Sequence, residues 1–197
     1  EIFKRFGYFV TESSEHFAEY VSWFIKKNRA DLIEKYKIPI NEYIDRCEYY
    51  IKTWEKLDED ISPINNEPIK LSHEYASYIM DSITNGKEIN INGNVMNNNL
   101  INNLPQNCCV EVPCKINSDG FFPQKIGSLP EQLAALMRTN INVQILTAEA
   151  AITNKKDHIY HAAMLDPLTS SILSIDEIYS MTDKLLEAHK DYLPKYN

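Results

Sequence analysis

The hydrophobic pattern of this 197-residue chain changes its period twice, and this change limits the folds that the chain can adopt. In the first part of the chain, and again from Ser128 onward, apolar residues recur with the spacing of amphipathic helices. Between these parts, Ile89 and Ile91 alternate with polar residues, and Cys108–Ile116 is typical of a second strand, which 121–126 follows as a returning partner. The pattern therefore predicts an α+β fold that is mostly helical with a small antiparallel sheet.

Helical spacing covers most of the chain on both sides of these strands. Pro39 suits the first turn of a long helix, and Ser174 with Glu177 forms a capping box that opens the last helix. The segments 58–72 and 92–103 are predicted loops, because the first contains prolines and the second is rich in asparagine. The other predicted helices cover residues 2–6, 17–25, 28–36, 39–57, 72–85, 129–152 and 157–165.

Charge and composition exclude several classes of protein. The net charge is −8, and the 20 lysines and arginines are scattered rather than clustered, which argues against a nucleic-acid partner. No apolar run reaches the roughly 18 residues that span a bilayer, and the start has no signal-peptide pattern. We therefore expect a cytoplasmic protein without a membrane partner. Because the chain begins at Glu1 within a helical pattern and without an initiator methionine, we also expect a fragment.

The four cysteines are too few for a secreted scaffold held together by disulfides. They are Cys47, Cys108, Cys109 and Cys114. Adjacent residues in a strand point to opposite faces, and no Cys-x-x-Cys pair accompanies them, which disfavours the alternative of a zinc site. We expect buried free thiols.

The stretch from Tyr8 to Tyr20 holds the first candidates for function. It runs from an extended aromatic segment into a helix that carries acidic, imidazole and phenol groups. His16, Glu19, Tyr20 and Trp23 lie at helical spacing and so form a polar and aromatic stripe. Such side chains at a turn between a strand and a helix are suited to line a substrate cleft, although a hydrogen-bonded structural histidine remains the alternative for His16.

Common catalytic motifs are missing from the sequence. It contains no Gly-x-Ser-x-Gly, no phosphate-binding loop, no His-Glu-x-x-His and no Gly-x-Gly-x-x-Gly. Carboxylates are abundant, but Glu12, Glu15 and Glu19 cannot be assigned acid and base roles from the sequence alone. The sequence therefore neither excludes nor supports a glycosidase that uses a pair of carboxylates.

Several long segments together resemble the C-terminal half of glycoside hydrolase family four, in its α-galactosidase (melibiase) branch. They are residues 7–20, Asn107–Cys114, Leu129–Leu136, Arg138–Gln144 and His161–Thr169. The resemblance runs nearly end to end and is weakest over 58–87. It implies a fold like the C-terminal domain of lactate and malate dehydrogenases. Residues 1–197 would form the substrate-binding and oligomerisation domain, and the N-terminal Rossmann domain that binds NAD would lie outside this chain.

The resemblance also implies an unusual reaction on a small sugar substrate. In this family NAD⁺ takes hydride from C3 of the sugar, a base removes the C2 proton, and Mn²⁺ stabilises the enediolate. The C1 substituent then leaves by elimination, water adds, and the hydride returns. The residues of the family that bind NAD and the metal lie upstream, so no cofactor-binding or metal-binding residue is assigned in this chain. We expect the chain alone to be inactive and the protein to be a homo-oligomer, either a dimer or a tetramer.

The residues at the turn before the second helix gain roles from this resemblance. Glu12 is the candidate catalytic residue for proton transfer, because a carboxylate at the end of an extended segment could reach C2. The alternative is that Glu12 only stabilises the positive end of the following helix. His16 and Glu19 are candidates for binding sugar hydroxyls.

Further substrate-binding candidates follow in the rest of the chain. Arg138 and Asn140 resemble cleft residues on a long helix, with a polar network between helices as the structural alternative. Arg29 is a further candidate, whose alternative is a solvated surface arginine.

The sequence departs from the branch at some positions, which widens the range of substrates to consider. A proline is usual in the branch at Ser22 and at Met96, an asparagine at Met137 and a glutamate at Ile145. The change at Met137 puts the sugar specificity in doubt. The alternatives are an α-glucosidase or α-glucuronidase of the same family, or a non-catalytic oligomerisation domain that kept the fold.

Overall fold

The computed structural model describes residues 1–10, 14–56 and 74–197. These ranges contain a three-stranded sheet and nine helices. The strands are β1 (Ile89–Met96), β2 (Cys109–Asn117) and β3 (Gly120–Pro123). The helices are α1 (Ile2–Phe6), α2 (Ser14–Tyr20), α3 (Ala30–Tyr36), α4 (Glu42–Glu55), α5 (Ala76–Asn85), α6 (Glu131–Thr153), α7 (Lys156–Leu165), α8 (Pro167–Ile172) and α9 (Ile175–Ala188).

The predicted fold class is confirmed, because a small antiparallel sheet lies between two helical parts of the chain. The strand order is β1-β2-β3, and both pairs are antiparallel. Ile89 pairs with Ile116 at one end of β1, and Met96 pairs with Cys109 at the other. The tight connection from Asn117 to Gly120 follows the predicted turn.

The core forms between one face of the sheet and α6. Every second residue of β2 is buried, as the alternating pattern requires. Each fully buried valine or isoleucine contributes about 1.5–3 kcal/mol to folding. The central cluster consists of Ile101, Leu104, Cys108, Val110, Val112, Cys114, Ala134 and Ile141.

The asparagine-rich segment differs from its prediction as a loop. Its first residues belong to β1, which extends to Met96. The chain then turns around Asn97, which is completely buried. The Asn97 side chain accepts a hydrogen bond from the Ile101 N–H at 2.7 Å and donates to the carbonyl oxygens of Ile101 and Leu104 at 2.9 and 3.2 Å. One buried amide thus orders the turn that composition alone assigned to an irregular loop.

The long helix α6 begins just after Pro130 and continues to Thr153, in agreement with its prediction. The capping box of the last helix is also confirmed. The Ser174 N–H donates to Glu177 Oε2 at 2.7 Å, and the Glu177 N–H donates to Ser174 Oγ at 3.4 Å. The short helix α8 was not predicted, although Asp166 followed by Pro167 is a signal for a helix start.

The helix α4 corrects one expectation. It begins at Glu42, so Pro39 lies before the helix and not in its first turn. Its apolar stripe is exposed, with Ile51 at 60% and Trp54 at 76% of their full accessibility. Within the described ranges, nothing covers this face enough to bury a residue of α4. A further correction concerns α2, which ends at Tyr20 although helix was predicted to residue 25.

The cysteines are all unpaired, but they are not all buried. Cys108 and Cys114 are buried, as expected, whereas Cys47 is half-buried and Cys109 is exposed. Cys109 is the first residue of β2 and Cys108 precedes it, and the alternation of buried and exposed residues along β2 extends back to Cys108. In the described part of the chain, no helix is long and apolar enough to cross a membrane.

Candidate substrate cleft

A cleft of about 540 Å³ lies between α6, the start of β2 and the N-terminal segment. This size is within the range of small-molecule sites. We call it the cleft throughout. Its lining residues are Ile2, Phe6, Tyr8, Phe9, Val10, Phe17, Tyr20, Val21, Ile101, Leu104, Cys109, Val110, Glu111, Leu133, Leu136, Met137, Asn140, Ile141 and Gln144.

One wall of the cleft is a single face of α6. Leu133, Met137, Asn140 and Gln144 are three or four residues apart, and this spacing places them in a row along the helix. The first two are apolar and the last two carry amides. The polar groups of this wall therefore lie together, about 6 Å apart along the helix axis.

Asn140 joins this wall to the end of α2. Its Nδ2 donates a hydrogen bond to the backbone carbonyl oxygen of Tyr20 at 3.1 Å, and it lies 3.2 Å from Thr139 Oγ1. Because the amide nitrogen is held in this way, the amide oxygen is the atom left to accept a hydrogen bond from a ligand. The predicted cleft residue Asn140 thus lies in a cleft, and it also has the interhelical contact of the structural alternative.

Arg138 lies on another side of the same helix and is not a lining residue of the cleft. Its Nη2 donates to the carbonyl oxygen of Asn103 at 2.5 Å. The Asn103 side chain in turn accepts from the Leu129 N–H at 2.9 Å and donates to the Leu129 carbonyl oxygen at 2.8 Å. Arg138 therefore stabilises, through Asn103, the position of Leu129 just before α6. Its role in substrate binding stays a prediction.

His16 and Glu19 lie together on α2, near the cleft but not among its lining residues. His16 Nδ1 is 3.3 Å from Glu19 Oε2, and both side chains are partly exposed. Each of them is within one helical turn of Tyr20, which does line the cleft. Glu12 lies outside the described residues, so the structure does not bear on its predicted catalytic role.

Arg29 lies on the surface, away from the cleft lining. Its guanidinium group forms two hydrogen bonds with the Asp31 carboxylate, each of 2.7 Å. These hydrogen bonds raise the pKa of Arg29 and lower the pKa of Asp31 from their ordinary values. The contact resembles the surface alternative, and substrate binding by Arg29 stays a prediction.

Two polar residues of the cleft were not among the predicted site residues. Glu111 is exposed on β2, between the buried residues Val110 and Val112. Gln144 follows Asn140 by one helical turn. Alternation along the strand and periodicity along the helix could have identified both, since each lies on the solvent side of an element whose other side is buried.

The described residues do not supply a metal site by themselves. Ranges 1–10, 14–56 and 74–197 contain no group of three histidine, cysteine or acidic side chains that could hold an ion. No chemical step is therefore assigned to a metal bound by these residues.

Comparison with known proteins identifies the class to which this fold and cleft belong. The family model "Family 4 glycosyl hydrolase C-terminal domain" matches residues 1–169. The chain therefore belongs to family 4 of the glycosyl hydrolases, as its sequence motifs indicated.

The chain is also similar to a particular enzyme. The chain is 49% identical over 196 residues to an α-galactosidase of Bacillus subtilis (strain 168). The match covers 100% of the chain and 45% of the relative, so the chain spans less than half of that protein. The resemblance to the C-terminal portion of a family 4 α-galactosidase is thus confirmed.

Solved structures support the fold. The lplD protein of Bacillus subtilis superposes with a TM-score of 0.73 at 22% identity and covers 94% of this chain and 41% of its own. A 6-phospho-β-glucosidase of Thermotoga maritima, solved with manganese, NAD⁺ and glucose-6-phosphate, has a TM-score of 0.63 at 17% identity, with coverage of 85% and 40%. At these identities the likeness concerns the fold alone.

Proposed function

We propose that this chain is the C-terminal domain of an NAD- and Mn²⁺-dependent α-galactosidase that acts on melibiose-like α-galactosides. The observation that carries the proposal is the 49% identity, over the full chain, to an α-galactosidase. In this proposal residues 1–197 cover the substrate and contribute to subunit contacts. A Rossmann domain in another part of the polypeptide holds the cofactors.

The cofactors are those of the family. The Thermotoga maritima relative was solved with both manganese and NAD⁺. When bound, NAD⁺ supplies a hydride acceptor and Mn²⁺ supplies positive charge for oxygen atoms of the sugar. Both would bind mainly through residues outside this chain.

The residues of this chain bind and orient the sugar. Asn140 offers a positioned amide in the cleft, and His16 and Glu19 on α2 bind hydroxyl groups next to it. Glu12 transfers the proton at C2 of the sugar. The apolar residues of the cleft exclude water from the reacting carbon atoms, which strengthens each hydrogen bond formed there.

Arg138 and Arg29 complete the proposed substrate-binding residues at a greater distance. Arg138 would reach the substrate only by exchanging the Asn103 carbonyl oxygen for a sugar oxygen, and Arg29 by leaving Asp31. Both rearrangements cost an existing charge-assisted hydrogen bond, so these two residues contribute less than Asn140.

We also propose that the protein is a homo-oligomer, a dimer or a tetramer. The support from the described residues is the exposed apolar face of α4, with Ile44, Ile51 and Trp54 each more than half accessible. Contiguous apolar surface is uncommon on the solvent-exposed exterior of monomeric proteins. Light scattering of the full-length protein measures the subunit number, and a monomer at micromolar concentration would contradict the proposal.

Hydrolysis of p-nitrophenyl α-galactoside and of melibiose by the full-length protein tests the function. The assay is run with NAD⁺, Mn²⁺ and a reductant together, and then with each omitted. We expect activity only when NAD⁺ and Mn²⁺ are both present. Activity that persists without NAD⁺ would refute the mechanism. Activity on α-glucosides or α-glucuronides alone would mean that the protein is an α-glucosidase or an α-glucuronidase of the family. No glycosidase activity on any of them would favour an oligomerisation domain.

A further inference from the structure

The two edges of the sheet are protected to different degrees. The strand β3 has only four residues and ends at Pro123, and both a short length and a proline limit pairing at an edge. The strand β1 has eight residues and contains no proline and no charged side chain. In the described part of the chain, no strand pairs with the outer side of β1. An uncharged edge of this length is a template for pairing with a further strand.

The backbone groups of three asparagines in β1 point away from β2. The Asn97 N–H donates to the Cys108 carbonyl oxygen at 2.9 Å, and this pair continues the register of β1 with β2. Because bonded residues alternate in an antiparallel pair, every second residue before Asn97 also bonds to β2, and the N–H and C=O groups between them point outward. Pro113, opposite Asn92, agrees with this, since it has no N–H and its carbonyl oxygen accepts from the Gln124 N–H at 2.8 Å on the β3 side. The residues with outward-pointing backbone groups are Asn90, Asn92 and Asn94.

The apolar face of β1 is incompletely covered. Every second residue of β2 is buried, with Val112 at 1% and Cys114 at 0% of full accessibility. Ile91 and Val95 pack against the same cluster from β1, yet they are only half-buried. A further strand beside β1 would therefore bond to its outer backbone groups and also complete the burial of its apolar side chains.

The backbone of β1 is complementary to a second copy of itself. In an antiparallel pair with a twofold axis beside Asn92, this residue lies opposite its own copy. Asn90 then lies opposite Asn94 of the partner subunit. These residues are the ones whose N–H and C=O groups point outward, so the pairing would form about six backbone hydrogen bonds.

The apolar side chains match in the same arrangement. Ile89 lies opposite Val95 of the partner subunit. Ile91 lies opposite Gly93 of the partner subunit, and in each subunit the Phe121 ring, 44% exposed, lies next to this glycine. The larger side chain thus meets a position without a side chain and an exposed ring beside it. Apolar pairs across neighbouring strands stabilise a sheet.

Charge also favours a second copy at this edge. The chain has a net charge of −8, so two copies repel each other where their charged surfaces meet. The strand β1 brings no charge to the contact. Glu88, which precedes the strand, is already paired with Lys115 of its own subunit at 3.0 Å. The edge is therefore a place where two copies can approach without facing like charges.

We infer that β1 is a subunit interface, at which two copies of the chain pair their β1 strands antiparallel about a twofold axis beside Asn92 and join their sheets into one. This inference rests on the homo-oligomer of the proposed function and identifies one of its contacts. Backbone hydrogen bonds supply the affinity. The asparagine side chains stay exposed, so the contact tolerates small uncharged residues in their place.

Thiol cross-linking tests this arrangement in the full-length protein. Asn92→Cys places two cysteines opposite each other with Cα atoms about 5.5 Å apart, and a short bismaleimide should link most subunits into pairs. Two variants are matched controls. Asn90→Cys lies on the same strand about 13 Å from its own copy, and Lys115→Cys lies on β2 more than about 14 Å from its own copy. We expect no link through either, and peptide mass spectrometry distinguishes these links from any through the exposed Cys109.

A charge placed on the edge tests the contact through the assembly state. Asn92→Lys sets two like charges opposite each other across the twofold axis, and lysine is a natural means of blocking a strand edge. In sedimentation velocity at low salt, we expect the dissociation constant of the subunits to rise at least tenfold. It should fall again in about 1 M salt, where the repulsion is screened, whereas salt would not reverse misfolding. Asn142→Lys makes the same change at an exposed position of α6 and should leave the assembly unchanged.

The outcomes separate this inference from the proposed function. Linkage through Asn92→Cys, together with salt-dependent loss of assembly in Asn92→Lys, supports the β1 contact whether or not the protein hydrolyses an α-galactoside. An oligomer that is not linked through Asn92→Cys, or that Asn92→Lys leaves intact, refutes the contact and means that another surface joins the subunits. A monomeric unmodified protein overturns both this contact and the proposed oligomer. Hydrolysis with and without NAD⁺, measured on the same preparations, decides the function separately.

Discussion

The hydroxyl group of Tyr160 on α7 donates a hydrogen bond of 2.5 Å to Asp183 Oδ1 on α9. Lys156 Nζ lies 3.5 Å from the same carboxylate oxygen. The hydrogen bond from Tyr160, followed by the charge of Lys156, lowers the pKa of Asp183 from its ordinary value. This pair therefore links two C-terminal helices in a way that depends on pH.

Replacing Tyr160 by phenylalanine should destabilise the protein at neutral pH but not in acid. Because the pKa of Asp183 is lower in the folded state, its contribution is present above the unfolded value of about 3.9 and is lost as the pH falls through the folded value. We expect Tyr160→Phe to lower the unfolding temperature by about 2 °C at pH 7 and by less at pH 3.5.

Tyr179→Phe is the matched control for this change. The two rings are stacked with centroids 4.5 Å apart, and only the Tyr160 hydroxyl reaches Asp183. The control should leave the pH dependence of the unfolding temperature unchanged. An equal loss in Tyr160→Phe at pH 7 and pH 3.5 would mean that packing, and not the bond to Asp183, is responsible.

Asn97 should be among the most sensitive positions for stability. Its buried amide satisfies one backbone N–H and the carbonyl oxygens of Ile101, Leu104 and Pro105. Asn97→Ala leaves these groups buried without partners, so we expect a loss of about 3 kcal/mol in the free energy of unfolding. Urea denaturation of the full-length protein measures the change. Asn90→Ala, at an exposed position of β1, should cost less than about 0.5 kcal/mol, and equal losses at both sites would contradict this role.

The same segment explains why part of the fold was not predicted. The alternation of Ile89 and Ile91 continues through Gly93 and Val95, while the asparagines between them take the exposed positions of β1. Composition concealed this period. At Gly93 a Cβ atom would lie 3.1 Å from Cys114 Sγ, so the break in the hydrophobic alternation marks a close approach to β2. Helices with strong amphipathic patterns were predicted well, because the regular spacing of their apolar residues identifies them whatever their overall composition.

The candidate site was predicted less completely than the fold. Asn140 was predicted as a cleft residue and does line the cleft, and its role in substrate binding stays a prediction. Glu111 was not predicted, because a strand is recognised by its alternating apolar residues and a single outward carboxylate gives no pattern of its own. Arg138 was assigned to the cleft from its motif, yet its direction around α6 leads it to Asn103. The sequence gives the residue types of a site. The side of the helix on which each side chain lies depends on the exact rotation of that helix, which the sequence does not give.

Ser174→Ala should weaken the start of the last helix. The Ser174 hydroxyl oxygen accepts a hydrogen bond from the Glu177 N–H, one of the backbone donors that has no partner within the helix. Loss of a serine cap costs about 1 kcal/mol. Urea denaturation should detect this loss, whereas Ser180→Ala, at an exposed position inside α9, should be neutral or slightly stabilising. A loss in the Ser180 variant as large as in the Ser174 variant would contradict the capping role.

Asn140→Ala should impair activity more than stability. The change removes the amide of the cleft wall and its hydrogen bond to the Tyr20 carbonyl oxygen, which lies at the end of the helix that carries His16 and Glu19. We expect a loss of about 1 kcal/mol in stability and at least a tenfold fall in kcat/KM for melibiose in the full-length protein. Asn142→Ala is the matched control, because it changes the same amide on the same helix at an exposed position outside the cleft. If both variants lose activity equally, the effect comes from α6 as a whole. If neither does, the cleft is not where the sugar binds.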